Sequence, residues 1–145
     1  MAKIIGIDYG TKRVGLAETD DLQIIASALT TVSTAEIFKF LDEYCSKNSV
    51  EAAVIGLPVR SNGELNEVEE DILKFITKFS NKYPKIRIER INEAFTSKLA
   101  MQAMIQSGAG KKKRREKGNL DKISATLILQ QYLENKRNIL RHERK

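Results

Sequence analysis

The stretch KIIGIDYGTKRVGLAET, residues 3–19, decides the fold. Two largely apolar runs, KIIGIDY and RVGLAET, flank the short glycine turn GTK, and this pattern predicts two antiparallel strands joined by a tight turn. The run QIIASALTTV, residues 23–32, follows a polar segment and predicts a third strand of the same meander. The first strand ends on a carboxylate, Asp8, which makes this residue the first candidate for chemistry.

Helical and extended patterns alternate after the meander. Ser33 and Glu36 have the spacing of a capping box, and apolar residues at helical spacing follow, so a helix is predicted over 34–47. The apolar run AAVIGLP, residues 52–58, predicts a strand buried on both faces.

Three more helices and one strand complete the predicted order. Helical spacing begins at Leu65 and ends before Pro84, and KIRIERIN, residues 85–92, alternates as a strand does. Residues 97–106 and 120–133 predict the last two helices, with Thr96 and Ser97 as N-cap candidates for one and Asn119 for the other.

This order, β-β-β-α-β-α-β-α-α, predicts an α/β fold in three layers. Its centre is a mixed five-stranded sheet, an antiparallel meander followed by strands that return through helices and therefore run parallel, with helices on both faces. We expect a single domain over residues 1–137 and a basic tail over residues 138–145.

Composition limits the chemistry that the chain can perform. The 145 residues include 25 Lys and Arg against 19 Asp and Glu, a net charge of +6 that suits a polyanionic partner such as nucleic acid. The only cysteine, Cys45, and the only histidine, His142, rule out an internal disulfide, a zinc ribbon and a histidine metal cluster. No apolar run approaches the roughly 20 residues of a membrane span, so we expect a cytoplasmic protein with no membrane partner.

Three carboxylates are candidates for one metal site. If the strand at 52–58 runs parallel to the first strand, Asp8 and Glu93 both lie at carboxyl ends of strands, where open α/β sheets bind their ligands, and Asp121 in the last helix could complete the trio. Carboxylates brought this close repel one another unless a hard cation such as Mg²⁺ binds them. Taken singly, Asp8 also fits a turn-forming role, and Glu93 and Asp121 fit the role of partners to a helix dipole.

Two further segments could contact phosphate groups. In the loop GLPVRSNGE, Gly56, Asn62 and Gly63 would let backbone amides approach a phosphate at the N-terminus of the following helix, with the help of Arg60. The loop also fits a plain connection between strand and helix. Six cations precede Asp121 with one acid among them, and they suit either a phosphate backbone or a solvated loop: Lys111, Lys112, Lys113, Arg114, Arg115 and Lys117.

The chain resembles the YqgF family of Holliday-junction resolvases, also described as pre-16S rRNA nucleases, over nearly its whole length. GIDYGTKRVGLA, VIGLP with the following NGE, INEAFTS and KGNLDKISATLILQQYL are similar to the four family motifs in order. The resemblance implies a ribonuclease H-like fold and a nuclease that uses one or two Mg²⁺ or Mn²⁺ ions. It maps the metal-binding acids to Asp8, Glu93 and Asp121. Gly10, Lys12 and Arg13, in the turn of the first motif, would keep the approach to the metal open and place positive charge near a phosphate.

The third motif departs from the family pattern. The family has Asp-Glu-Arg where this chain has Asn92, Glu93 and Ala94, so the central acid is kept and its two charged neighbours are lost. Arg60, Arg90 or the basic segment are the candidates to replace that arginine.

Several functions fit these residues. The first is hydrolysis of phosphodiester bonds in structured nucleic acid, by a monomer or a homodimer. We expect 5′-end processing of precursor 16S rRNA, with Holliday-junction resolution as the alternative. A second is a nucleotide-binding module, because Asp-x-Gly-Thr after an apolar strand resembles the first phosphate loop of actin-like ATPases, but the chain has no second such loop. A third is a non-catalytic RNA-binding factor of ribosome assembly.

Overall fold

The computed structural model describes residues 2–58, 68–92 and 117–143, with side chains of the last segment described over 123–137. The strands are β1 Lys3–Tyr9, β2 Arg13–Thr19, β3 Ala26–Ser33, β4 Val50–Leu57 and β5 Arg87–Asn92. The helices are α1 Ile37–Lys47, α2 Val68–Lys82 and α3 Lys117–Glu143, and a short 3-10 turn, Thr34–Glu36, precedes α1. The helix predicted over 97–106 lies outside the described residues.

The five strands form one mixed sheet in the order β3-β2-β1-β4-β5. Strands β1, β2 and β3 pair antiparallel, whereas β1 with β4 and β4 with β5 pair parallel. The predicted meander followed by parallel strands is therefore confirmed. The strand order places β1 and β4 inside the sheet, where the apolar runs of both strands are buried on both faces.

Helices α1 and α2 cover one face of the sheet. Because side chains alternate along a strand, Ile5 and Ile7 of β1 point to this face. They pack in one core cluster with Leu41 of α1 and with Ile72 and Phe79 of α2, all of them almost fully buried. The apolar spacing that predicted these two helices is the spacing of the residues they bury.

Helix α3 covers the other face. Its residues Ala125, Ile128 and Leu129 are fully buried against Ile4 of β1 and Val54 of β4. The protein thus has the three layers that the sequence predicted, helices on both sides of a central sheet. No helix within the described segments is both long and apolar enough to cross a membrane.

Strand β3 begins three residues later than predicted. The carboxylate of Asp20 accepts hydrogen bonds from the backbone N–H groups of Ile24 and Ile25, at 2.8 and 3.0 Å, and Gln23 takes a positive φ of 57°. This local turn uses the donors that a strand would have offered, so Ile24 and Ile25 lie in an exposed turn.

Two helix starts also differ from the sequence-based prediction. Ser33 makes no side-chain capping bond, so the capping box is wrong; instead the Thr34 hydroxyl donates to the Gly10 carbonyl at 2.7 Å and anchors the helix start to the β1–β2 turn. Helix α3 starts at Lys117, which places Asn119 inside the helix rather than at its cap, and it continues through Glu143 into the stretch predicted as a tail.

Candidate active site

Asp8 lies at the carboxyl end of β1, on the face that α3 covers. It is the sixth of the seven residues of the strand and alternates with Ile7 and Tyr9, which belong to the α1–α2 face. Its side chain is half-buried, and its backbone pairs with Gly15 of β2. The predicted position of this carboxylate, at the end of a central strand, is therefore where the structure has it.

A residue without a side chain lies beside Asp8. Strands β1 and β4 pair Gly6 with Val54 and Ile7 with Ile55, so the next position in the same register sets Asp8 beside Gly56. Paired residues of parallel strands point to the same face. Gly56 is buried, and β4 therefore places no side chain beside Asp8 on the α3 face.

The approach of α3 to β1 is unusually close. A Cβ atom at Gly6 would lie 2.7 Å from the carbonyl oxygen of Ala125 and 3.0 Å from the Cβ of Leu129. Real Cβ atoms do not approach backbone oxygen this closely, so only glycine at position 6 allows α3 to sit at this depth. This contact fixes the height of the helix over the strand.

Contacts at the other end of α3 give its direction. Lys136 donates to the side chain of Gln23 at 3.3 Å, and Gln23 in turn donates to the carbonyl of Ala2, at the amino end of β1, at 2.7 Å. Helix α3 therefore runs antiparallel to β1, and its amino end points to the carboxyl end of that strand.

This direction brings the backbone of Asp121 toward Asp8. Asp121 precedes Ala125 by one helical turn, about 6 Å along the axis, and Asp8 follows Gly6 by two strand residues, about 7 Å. Both positions are displaced the same way from the Gly6–Ala125 contact. The side chain of Asp121 lies outside the described part, so its ligand role stays a prediction.

Glu93, the third predicted acid, follows the last residue of β5 and lies outside the described residues. Strand β5 ends at Asn92, which pairs with Leu57 of β4. Because β4 separates the two strands, β5 lies about 10 Å from β1. Within the described segments no cluster of three metal-ligating residues is found.

The predicted phosphate contacts are described only in part. Lys12 is exposed and Arg13 half-buried, both beside the β1–β2 turn, and this turn is closed by a 2.9 Å hydrogen bond from the Gly10 N–H to the Arg13 carbonyl. A Cβ at Gly10 would lie 2.7 Å from that carbonyl, so the turn requires glycine here. Outside the described residues, or without a described side chain, are Arg60, Thr96, Ser97, Lys111, Lys112, Lys113, Arg114, Arg115 and Lys117.

Arg90, a candidate to replace the family's arginine, is engaged elsewhere. Its guanidinium bonds both oxygens of Glu69, at 2.6 and 3.2 Å, and donates to the carbonyls of Ile55 and Gly56 at 3.2 and 3.0 Å. Glu69 lies on the α2 side of the sheet, opposite Asp8, so these bonds hold the guanidinium on that side, and a contact of Arg90 with phosphate stays a prediction. The sequence already indicated this orientation. Side chains alternate along a strand, so Arg90 points away from the face toward which its neighbour Ile91 packs, the α3 face.

Comparison with known proteins gives consistent matches. A family model described as the RuvX Holliday junction resolvase matches residues 2–135. A relative from Flavobacterium johnsoniae is 50% identical over 137 residues, covering 94% of this chain and 99% of its own. One from Bacteroides thetaiotaomicron is 45% identical over 137 residues with the same coverage. Both are described as "Putative pre-16S rRNA nuclease".

Solved structures with the same fold include two resolvases. Thermus thermophilus RuvC, bound to a Holliday junction substrate, superposes with a TM-score of 0.54 at 17% identity, over 88% of this chain and 92% of that one. The Fowlpox virus resolvase, bound to substrate Holliday junction DNA, gives 0.59 at 14% identity, over 92% and 97%. At these identities the likeness bears on the fold alone, and it confirms the predicted ribonuclease H-like architecture.

Proposed function

Since this chain belongs to the RuvX family of Holliday junction resolvases, we propose that it is a metal-dependent nuclease that processes the 5′ end of precursor 16S rRNA. Support for the substrate comes from relatives that are 45–50% identical over nearly the full length and are described as "Putative pre-16S rRNA nuclease". A cytoplasmic location follows from that substrate, because precursor rRNA is matured in the bacterial cytoplasm.

The observation that carries the proposal is the position of Asp8. Its carboxylate lies at the carboxyl end of a central strand, beside the side-chain-free Gly56, at the end of the sheet to which the amino end of α3 points. Carboxylate oxygens are the ligands that hard divalent cations prefer, and β4 places no side chain beside Asp8 at Gly56. The chemistry of the Asp8 carboxylate therefore suits a Mg²⁺ or Mn²⁺ ion.

We assign the remaining ligands to Glu93 and Asp121. The backbone of Asp121 is displaced toward Asp8 along α3, and Glu93 directly follows β5, two strands away from β1. One or two ions held by this trio would supply the usual metal chemistry of such sites, activation of water and stabilisation of the leaving oxygen.

The cations of the chain bind and orient the substrate. Lys12 lies in the β1–β2 turn and Arg13 begins β2, so their charges lie near a phosphate that reaches the Asp8 carboxylate. The basic segment, Lys111–Arg115 with Lys117, precedes Asp121 and contacts the phosphate backbone next to the site. Contacts with about five phosphates would make the logarithm of the binding constant fall by roughly 4 per decade of salt.

A direct substrate comparison tests this proposal. The purified protein is incubated with precursor 16S rRNA ends and with four-way DNA junctions, each with Mg²⁺ and with a chelator. We expect Mg²⁺-dependent cleavage at the 5′ end of the rRNA and little cleavage of the junction. Absence of metal-dependent cleavage of either substrate would refute the proposed nuclease activity.

Junction resolution is the second candidate, because the matching family model carries that description. It predicts symmetric cutting of a four-way junction by a homodimer, which a mass measurement in solution would detect, whereas trimming of an RNA end needs only a monomer. A non-catalytic RNA-binding role is the third, and the loss of charge at Asn92 and Ala94 favours it. It predicts RNA binding without cleavage under any metal condition.

A further inference from the structure

A cleft opens at the carboxyl end of β1, on the face of the sheet opposite Asp8. It has a volume of about 440 Å³ and lies between the β1–β2 turn, the start of α1 and one face of α2. Tyr9 lines it, one residue after Asp8 and on the other face of β1, and Thr11 lines it from the turn. Ligand sites in proteins have volumes of about 300–1,000 Å³, so this cleft could hold one nucleotide.

The wall of this aromatic cleft is formed by three rings. Tyr9 and Phe38 each contact Phe75, with ring centroids 5.0 and 5.3 Å apart. Phe75 is only 3% exposed and belongs to the core, whereas Tyr9 and Phe38 are half-buried and border the cleft. The rings are thus held by the core, while Tyr9 and Phe38 keep part of their surface exposed at the cleft. The Lys82 ammonium group lies over the Phe38 ring, 5.3 Å from its centroid. Partly exposed aromatic side chains are the groups on which nucleic acid bases stack.

Two lysines and one aspartate line the cleft around these rings, and the lysines carry the positive charge that a phosphate group requires. Lys74 and Lys78 are exposed and line the cleft. They lie one turn apart on α2, about 6 Å along the helix axis. Within the described part of the chain neither ammonium group forms an ion pair with a carboxylate. Asp71 adds one hydrogen-bond acceptor to the same wall.

We propose that the aromatic cleft binds an unpaired nucleotide of the RNA substrate, with the base against Tyr9 and Phe38 and phosphate groups on Lys74 and Lys78. The inference rests on the proposed function and extends it to the form of the substrate. A base-paired nucleotide has its faces covered by stacking and cannot enter such a cleft, so the substrate would be single-stranded next to the cleaved bond. Asp8 and Tyr9 are consecutive residues of β1. An RNA strand therefore has only to cross the β1–β2 turn to reach both the proposed metal site and the aromatic cleft.

Binding without divalent metal tests the proposal separately from catalysis. Single-stranded and double-stranded RNA of equal length are titrated in chelator, over a range of salt, against the wild type and the variant Lys74→Gln/Lys78→Gln. Each phosphate contact on a single strand contributes about 0.7 to the salt slope. We therefore expect the slope to fall by about 1.4 and single-strand affinity in 0.1 M salt to fall roughly 25-fold.

The matched control is Lys39→Gln/Lys47→Gln, which removes the same charge from two exposed lysines of α1 that do not line the cleft. We expect this variant to bind single-stranded RNA within about twofold of the wild type, as expected of charges that contact no phosphate. Equal losses in both variants would overturn the proposal in favour of general attraction by charge. Equal losses for single and double strands would overturn the requirement for an unpaired nucleotide.

An NMR titration with adenosine monophosphate addresses the cleft itself. The same titration is made with a single-stranded oligonucleotide. We expect shifts of the Thr11, Lys74 and Lys78 resonances in the wild type, and no shift of the Thr11 resonance in Lys74→Gln/Lys78→Gln. No shift at these residues with either ligand would overturn the proposal. Both experiments can succeed even if cleavage assays refute the nuclease activity, so the two failures are distinguishable.

Discussion

Arg90 of β5 and Glu69 of α2 form a bidentate ion pair on the face of the sheet opposite Asp8. The carboxylate of Glu69 is 8% exposed and the side chain of Arg90 is 24% exposed, and the closer contact is 2.6 Å. The same guanidinium donates to the carbonyls of Ile55 and Gly56, so it joins the end of β4, the end of β5 and the first turn of α2. This pair holds together the strand ends that carry the proposed metal site.

Breaking the pair should destabilise the protein strongly. We expect Arg90→Ala to lower the free energy of unfolding by about 3–5 kcal/mol, since it leaves a buried carboxylate without its partner. Urea unfolding followed by circular dichroism measures the change. The control is Lys3→Ala at the amino end of β1. Lys3 pairs with Glu18 at 3.0 Å, and the Glu18 side chain is 23% exposed, against 8% for Glu69. We therefore expect a loss of about 1 kcal/mol or less. Similar losses in both variants would contradict the role given to Arg90.

Gly6→Ala should separate α3 from the sheet. The added methyl group would lie 2.7 Å from the Ala125 carbonyl, which is backbone and cannot rotate away, so the helix must shift. We expect a loss of about 1–3 kcal/mol in stability, as for other overpacked cores. Thermal unfolding measures it, and Ser27→Ala at an exposed position of β3 is the control. Unchanged stability in Gly6→Ala would contradict the close contact between β1 and α3.

The turn before β3 should make stability depend on pH. Hydrogen bonds from the N–H groups of Ile25 and Ile24 lower the pKa of Asp20 below its ordinary value of 3.8. A carboxyl whose pKa is lower in the folded state stabilises the protein above the unfolded pKa, and this stabilisation is lost as the pH falls through the folded pKa. We expect the melting temperature of the wild type to fall more steeply below pH 4 than that of Asp20→Asn. Parallel curves for the two proteins would contradict the assignment.

The sequence predicted the architecture because its strongest signals are local. The apolar runs in KIIGIDY and AAVIGLP are enough to recognise two central strands, and the helices between the later strands imply parallel pairing. Asp8 at a strand end follows from the same reasoning, and the structure confirms its place in β1.

The differences arise where one side chain replaces a backbone interaction. Nothing in the apolar run from residue 23 to 32 shows that the Asp20 carboxylate binds the N–H groups of Ile24 and Ile25 and delays β3. The partnership of Arg90 with Glu69 joins residues 21 positions apart, and in sequence Glu69 looks like any acid in the first turn of a helix. Pairings of this kind depend on the packed fold rather than on local pattern.

Cleavage of precursor 16S rRNA by Asp8→Asn tests the central claim most directly. The substitution keeps the shape of the side chain and removes the charge that a divalent cation requires, and Asp21→Asn, at an exposed position in the β2–β3 turn, is the matched control. Single-turnover rates are measured in Mg²⁺ after both variants are shown to unfold like the wild type. We expect Asp8→Asn to lose at least about 100-fold in rate and Asp21→Asn to retain the wild-type rate. Wild-type cleavage by Asp8→Asn would contradict the placement of the metal site at the end of β1.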